Sequence, residues 1–147
     1  MTFVQTLKRW RDEDNPEEAG MRTPENVLGM EILGALKTLS HEARPSLEVF
    51  RTGDSRDDIA RYGLCLVLEA AELVNSLPWK RWARHPADLD KAKEEFADML
   101  CFLGSMVCLF NDLGVSHKDL LEAYKDKLKE NADRFAKYLE ENPNDKD

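Results

Sequence analysis

Four carboxylates in two pairs, Glu69-Ala-Ala-Glu72 and Glu95-Phe-Ala-Asp98, are the residues of this chain most able to do chemistry. Each pair has the i, i+3 spacing that sets two side chains on one face of a helix. The first pair lies inside Leu64-Cys-Leu-Val-Leu-Glu-Ala-Ala-Glu-Leu-Val74, and Asp98 is followed at once by Met-Leu-Cys-Phe-Leu103. A carboxylate desolvated in such company without a partner costs several kcal/mol. A divalent cation would compensate all four, because Mg²⁺ (or Mn²⁺ in its place) is held by carboxylate oxygens together with substrate phosphates. One ambiguity stands in the second pair: Glu94 is i, i+4 to Asp98 and could replace Glu95.

Groups suited to a polyphosphate surround these pairs in sequence. Between them runs a segment rich in aromatic and basic residues, with Trp79, Lys80, Arg81, Trp82 and Arg84; further on come Lys127, Asn131 and Arg134. Cations beside a carboxylate-bound metal are what a phosphorylated substrate needs. A base could stack on Trp79 or Trp82, and the Asn75 amide, one turn beyond Glu72, could pair with a base edge. Each residue also has a plainer reading. Charged residues make up 34% of the chain, so the carboxylates and Lys127 or Arg134 could be solvated helix faces, and the tryptophans could pack against helix ends. On that reading the chain is a non-catalytic helical module binding a nucleotide or a protein.

The elements that must carry these residues are helices. Thr23 before Pro24 is an N-cap with proline at the first helical position. It opens an apolar face of Val27, Leu28, Met30, Leu33, Leu36 and Leu39 that is expected to stop before Pro45, with a further turn over 46–51. Asp54 or Ser55 caps a second long helix to about Ser76. Asp88 caps a third, running to Asp112 and closed by Gly114. Ser116 with Asp119 opens the last, through Tyr124, Leu128 and Phe135. The expectation is an all-α bundle of four to five helices, with the carboxylate pairs on two antiparallel central helices. Residues 1–22 form an N-terminal helix or flexible segment, 23–141 one domain, and 142–147 a flexible tail.

Composition narrows the rest. A formal net charge of −8 argues against a nucleic-acid partner. The longest nearly apolar run, Met99 to Phe110, falls short of the ~18 residues that span a bilayer. No leader with a cleavage site opens the chain, so a cytoplasmic location is expected. Cys65, Cys101 and Cys108 lack C-x-x-C spacing and are expected to be buried reduced thiols. Leu64–Val74 and Phe96–Phe110 are apolar around most of the helix, which predicts a homo-oligomer, dimer or tetramer, with Leu100, Leu103 and Val107 in or near a core shared between subunits.

E-x-x-E, a spacer of 22 residues and E-x-x-D together resemble the all-α nucleoside triphosphate pyrophosphohydrolases, which include MazG-like enzymes, dimeric dUTPases and dCTP pyrophosphatases. The likeness covers roughly residues 56–135. Pro78-Trp-Lys-Arg-Trp82 is similar to the Pro-Trp-Lys-x-Trp element of dimeric dUTPases, and Lys127, Asn131 and Arg134 fall on the family's terminal Lys…Asn…Arg element. Two positions depart from it. Cys101 stands where dimeric dUTPases usually have His, and Arg134 runs into Phe-Ala-Lys-Tyr138 rather than Gly-Tyr. The resemblance implies Mg²⁺ on Glu69, Glu72, Glu95 and Asp98, with one glutamate as base. It implies substrate contacts from Trp79, Lys80, Trp82, Lys127, Asn131 and Arg134, to which position alone adds Asn75. The product pair would be a nucleoside monophosphate and pyrophosphate. dUTP leads as substrate, with a purine nucleotide or dCTP as alternatives.

Overall fold

The computed structural model describes residues 24–143. The expected segment 1–22, the Thr23 cap and the last residues of the expected tail lie outside that range. Four helices follow one another: α1 (Pro24–Phe50), α2 (Ser55–Asn75), α3 (Leu89–Asp112) and α4 (His117–Glu141). No strand occurs among the described residues. The chain is all-α, as its periodicity predicts. Its described residues divide into two compact units, one of 34–117 and one of 24–33 with 118–143.

In the 34–117 unit, α2 and α3 form an antiparallel hairpin whose start signals are local. The Asp54 side chain accepts from the backbone N–H groups of Arg56 and Asp57 at 2.8 and 3.3 Å, and that of Asp88 from Lys91 at 2.9 Å. Each satisfies N–H groups that a helix start leaves without intrahelical partners. Gly114, at φ +85°, turns the chain out of α3 in the left-handed region where a side chain would be strained. The register shows in the pairs across the hairpin. Glu69 meets Glu95, while Tyr62, two turns earlier on α2, meets Phe102, two turns later on α3, with ring centroids 5.9 Å apart.

The core of this unit is where α1 crosses the hairpin. Ala43, Leu47, Cys108 and Leu109 are buried together, with Ile59 and Tyr62 against them. Full burial of Leu47 and Leu109 is worth about 1.5–3 kcal/mol for each side chain. The helices approach closely because α3 offers no side chain at Gly104: a Cβ built there would lie 2.5 Å from the Leu39 carbonyl oxygen and 3.2 Å from the Ala43 Cβ. One turn on, the Cys108 thiol donates to the Ser40 carbonyl at 2.8 Å. At the C-terminus of α3, where the helix dipole disfavours an acid, Asp112 is held by Arg44 at 3.1 Å and Arg51 at 3.2 Å.

Two expectations do not hold. The helix does not stop before Pro45: α1 runs through it to Phe50. Pro45 and His41, whose carbonyl loses its intrahelical donor, are both exposed, so water can serve that oxygen. The buried face formed by Ser40, Ala43 and Leu47 continues unbroken on the opposite side. The cysteines are free thiols, but only Cys108 is buried; Cys65 is half-buried and Cys101 exposed. Val107 is covered within the chain itself.

The turn between α1 and α2 is fastened by Asp58, which is fully buried. The Thr52 N–H donates to its Oδ2 and the Thr52 hydroxyl to its Oδ1, both at 2.9 Å, and Arg61 pairs with it at 3.4 Å. Burial pushes this carboxyl up, but the Thr52 hydrogen bonds with the Arg61 and Arg51 charges outweigh it and hold it below the ordinary value of 3.8. The unfolded chain therefore takes up this proton before the folded one does. Asp58 contributes stability above pH 3.8 that is lost as pH falls through the folded-state value. Asp58→Asn is expected to lower the melting temperature at neutral pH by roughly 5 °C and to flatten the acid limb of the stability–pH curve. Thermal melts between pH 2 and 7 check both; an unchanged acid limb would show that Asp58 is not the group responsible.

The other unit is described by α4 and the start of α1. Leu121 is buried there, and Gly29 on α1 leaves room for the Lys125 side chain, whose Nζ would lie 3.1 Å from an added Cβ. On the exposed face of α4, Glu130 accepts from Lys127 at 2.6 Å and from Arg134 at 2.7 Å.

Candidate metal centre

The packing of α3 on α2 brings three of the four predicted carboxylates together. Glu69, Glu95 and Asp98 each place a carboxylate oxygen within 4.8 Å of the other two. Glu95 is buried against α2 and Glu69 half-buried, while Asp98 opens to solvent. Glu94 points into solvent, so the ambiguity in the second pair falls to Glu95. Sequence alone could not decide it, because which of two adjacent glutamates faces α2 depends on how the helices pack. Glu72 is exposed and outside the trio, one helical turn beyond Glu69.

The electrostatics of the trio are those of crowded like charges. Burial, then a hydrogen bond with Glu95, then the charges of Asp98, Glu72 and Glu95 push the Glu69 carboxyl above the ordinary glutamate value. The only cation paired with the trio among the described residues is Lys91, 3.8 Å from Glu95. A divalent ion fits the donors. All are hard carboxylate oxygens, gathered within 4.8 Å of one another, the donor type that Mg²⁺ takes.

The other predicted residues fall around the hairpin mouth and on α4. Asn75 is the exposed last residue of α2. The connection that follows is pinned at its base, where the Asp88 N–H donates to the Ser76 carbonyl at 2.9 Å. Within it, the Ala83 N–H donates to the Lys80 carbonyl at 2.8 Å. Lys80 extends over Trp79, its Nζ 5.0 Å from the ring centroid, a cation–π contact. Trp82 is 77% exposed, and Trp79 also opens to solvent, so neither tryptophan is the packed helix-end residue of the plainer reading. Lys127, Asn131 and Arg134 lie on the exposed face of α4, the two cations engaged with Glu130.

Residues 51–111 match the family described as dUTPase. The matched segment covers α2, the connection and nearly all of α3, and with them the trio, Glu72 and the two tryptophans. It is less than half the chain. No curated protein and no solved structure matches. The chain thus carries a dUTPase-like segment of the all-α kind.

Proposed function

We propose that this protein is a divalent-dependent nucleoside triphosphate pyrophosphohydrolase, cleaving between the α and β phosphates to release a nucleoside monophosphate and pyrophosphate. The observation that carries the reading is the carboxylate trio at the centre of a dUTPase-like segment. Glu69, Glu95 and Asp98 would hold Mg²⁺, which when bound neutralises phosphate charge and lowers the pKa of water. Glu72, one turn beyond Glu69 and open to solvent, would take the proton of the attacking water. Water adds to one phosphorus of the α–β anhydride, and the bridging oxygen leaves with the other. Lys80 supplies charge for the leaving phosphates, Trp79 and Trp82 an aromatic surface. The resemblance assigns phosphate and sugar contacts to Lys127, Asn131 and Arg134.

The test is a panel of dUTP, dCTP, dGTP and dATP with and without Mg²⁺, products identified. Pyrophosphate with the matching monophosphate is the expected result. Orthophosphate, or no turnover with any triphosphate, would overturn it. The Pro78–Trp82 loop and the family match support dUTP as a substrate, while the residues of the neighbouring cavity favour another base.

A homo-oligomer belongs to the same proposal. Leu64, Val67 and Leu68 on α2 are 66%, 64% and 62% exposed, and Phe96 on α3 is also open. A contiguous apolar helix face of this kind is where a second copy would pair. Sedimentation at micromolar concentration is expected to show a species larger than the 16.9 kDa chain. A folded monomer would count against it.

A further inference from the structure

A cavity of about 310 Å³ opens between α1 and the hairpin, at the low end of the size range of ligand pockets. Its position relative to the carboxylates follows from the helices. Cys101 and Phe102 lie one turn C-terminal to Asp98 on α3, and Tyr62 lies two turns N-terminal to Glu69 on α2. Because the helices are antiparallel, both offsets run the same way, about 5–10 Å along the hairpin. That is the span of a sugar between an α-phosphate and its base.

The polar groups of the cavity are unusual in their sign. The Ser46 hydroxyl donates to the Ala43 carbonyl at 3.0 Å and the Ser105 hydroxyl to the Cys101 carbonyl at 3.2 Å. Their protons are committed, and what they turn to a ligand is lone pairs. Glu42 stands at the rim with two further acceptor oxygens and, among the described residues, no ion pair. Tyr62 and Phe102 form an aromatic wall, and the only donors are the Tyr62 hydroxyl and the Cys101 thiol.

The geometry points to this cavity as the base subsite, with Glu42 as the group that selects a base bearing two adjacent donors, guanine, over uracil. This rests on the pyrophosphohydrolase reading. Guanine presents N1–H and N2–H₂ side by side, a match for the two oxygens of one carboxylate. Uracil flanks its single N3–H with two carbonyls, which a carboxylate and an acceptor-rich wall repel. Adenine and cytosine offer one amino group beside a ring acceptor and fall between.

The experiment uses the full chain and two readouts. In equilibrium binding, dGMP is expected to bind at least about tenfold tighter than dUMP, and Glu42→Gln, which replaces one acceptor by a donor, to remove most of that difference. In the Mg²⁺ assay, the ratio of kcat/KM for dGTP over dUTP is expected to follow the same course. Glu42 is on the surface, and an unchanged melting temperature in the variant shows that the fold is kept. Equal binding, a dUMP preference, or a guanine preference that survives Glu42→Gln would overturn the assignment. Failure of every triphosphate to yield pyrophosphate would instead sink the parent reading, and the monophosphate binding would still report on the cavity.

Discussion

Asp98→Asn is expected to cut Mg²⁺-dependent hydrolysis by at least about a hundredfold while leaving the helical fold intact. Asp98 is the most open of the three clustered carboxylates, the side from which a phosphate would approach. Removing its charge takes one hard ligand from the trio and relieves repulsion that now raises the Glu69 carboxyl. The two effects oppose each other in sign, which makes the prediction specific. Without metal, the variant should melt no lower than the unaltered protein. With Mg²⁺, the unaltered protein gains about 2.7 kcal/mol at a hundredfold excess over Kd, and the variant should gain little of it. Melting curves with and without Mg²⁺, beside the pyrophosphate assay, check both halves. Near-normal turnover in Asp98→Asn would remove the trio from the mechanism.

Gly104→Ala is expected to be the most damaging glycine-to-alanine change within the helices of the 34–117 unit. The new Cβ meets the Leu39 carbonyl oxygen at 2.5 Å and the carbonyl carbon at 3.0 Å. These are backbone atoms of a helix and cannot rotate away. Relief requires α1 to move off α3, which loosens Ala43, Leu47 and Cys108 together. Overpacking of this kind costs about 1–3 kcal/mol, against which the helix propensity of alanine returns less than 1. A fall of roughly 5 °C in melting temperature is expected. Gly63, whose Cβ would meet only the end of Met106 at 4.0 Å, serves as the control: Gly63→Ala should be neutral or stabilising. A neutral Gly104→Ala would mean that the helices are not as close as described.

Much of the fold was legible because its signals are local. Asp54 and Asp88 cap helices with their own side chains, and Gly114 ends α3 in a conformation that only its neighbours dictate. Pro45 departs from its local signal for the opposite reason. Whether a helix survives a proline depends on whether the orphaned carbonyl reaches water, and that is a property of the assembled unit. The site divides in the same way. The i, i+3 carboxylates declare themselves from spacing alone, whereas the choice of Glu95 over Glu94 needed the packed partner helix. Glu42 gave no signal at all. It is one glutamate on a charged helix, and only the cavity beside it distinguishes it from Glu31 or Glu48.

The hydrogen bond from the Asp88 N–H to the Ser76 carbonyl has a consequence for how such a protein can change. It clasps the ends of the 77–87 connection, so the hairpin is registered by its own packing and by that single closure rather than by the residues in between. Insertions, deletions or exchanged side chains there are expected to leave Glu69 and Glu95 in register. The segment behaves as a replaceable cassette beside a fixed cluster of acids. Substrate preference could then drift within a lineage by rewriting a few surface positions, while the scaffold that holds the acids stays under a separate and stricter selection.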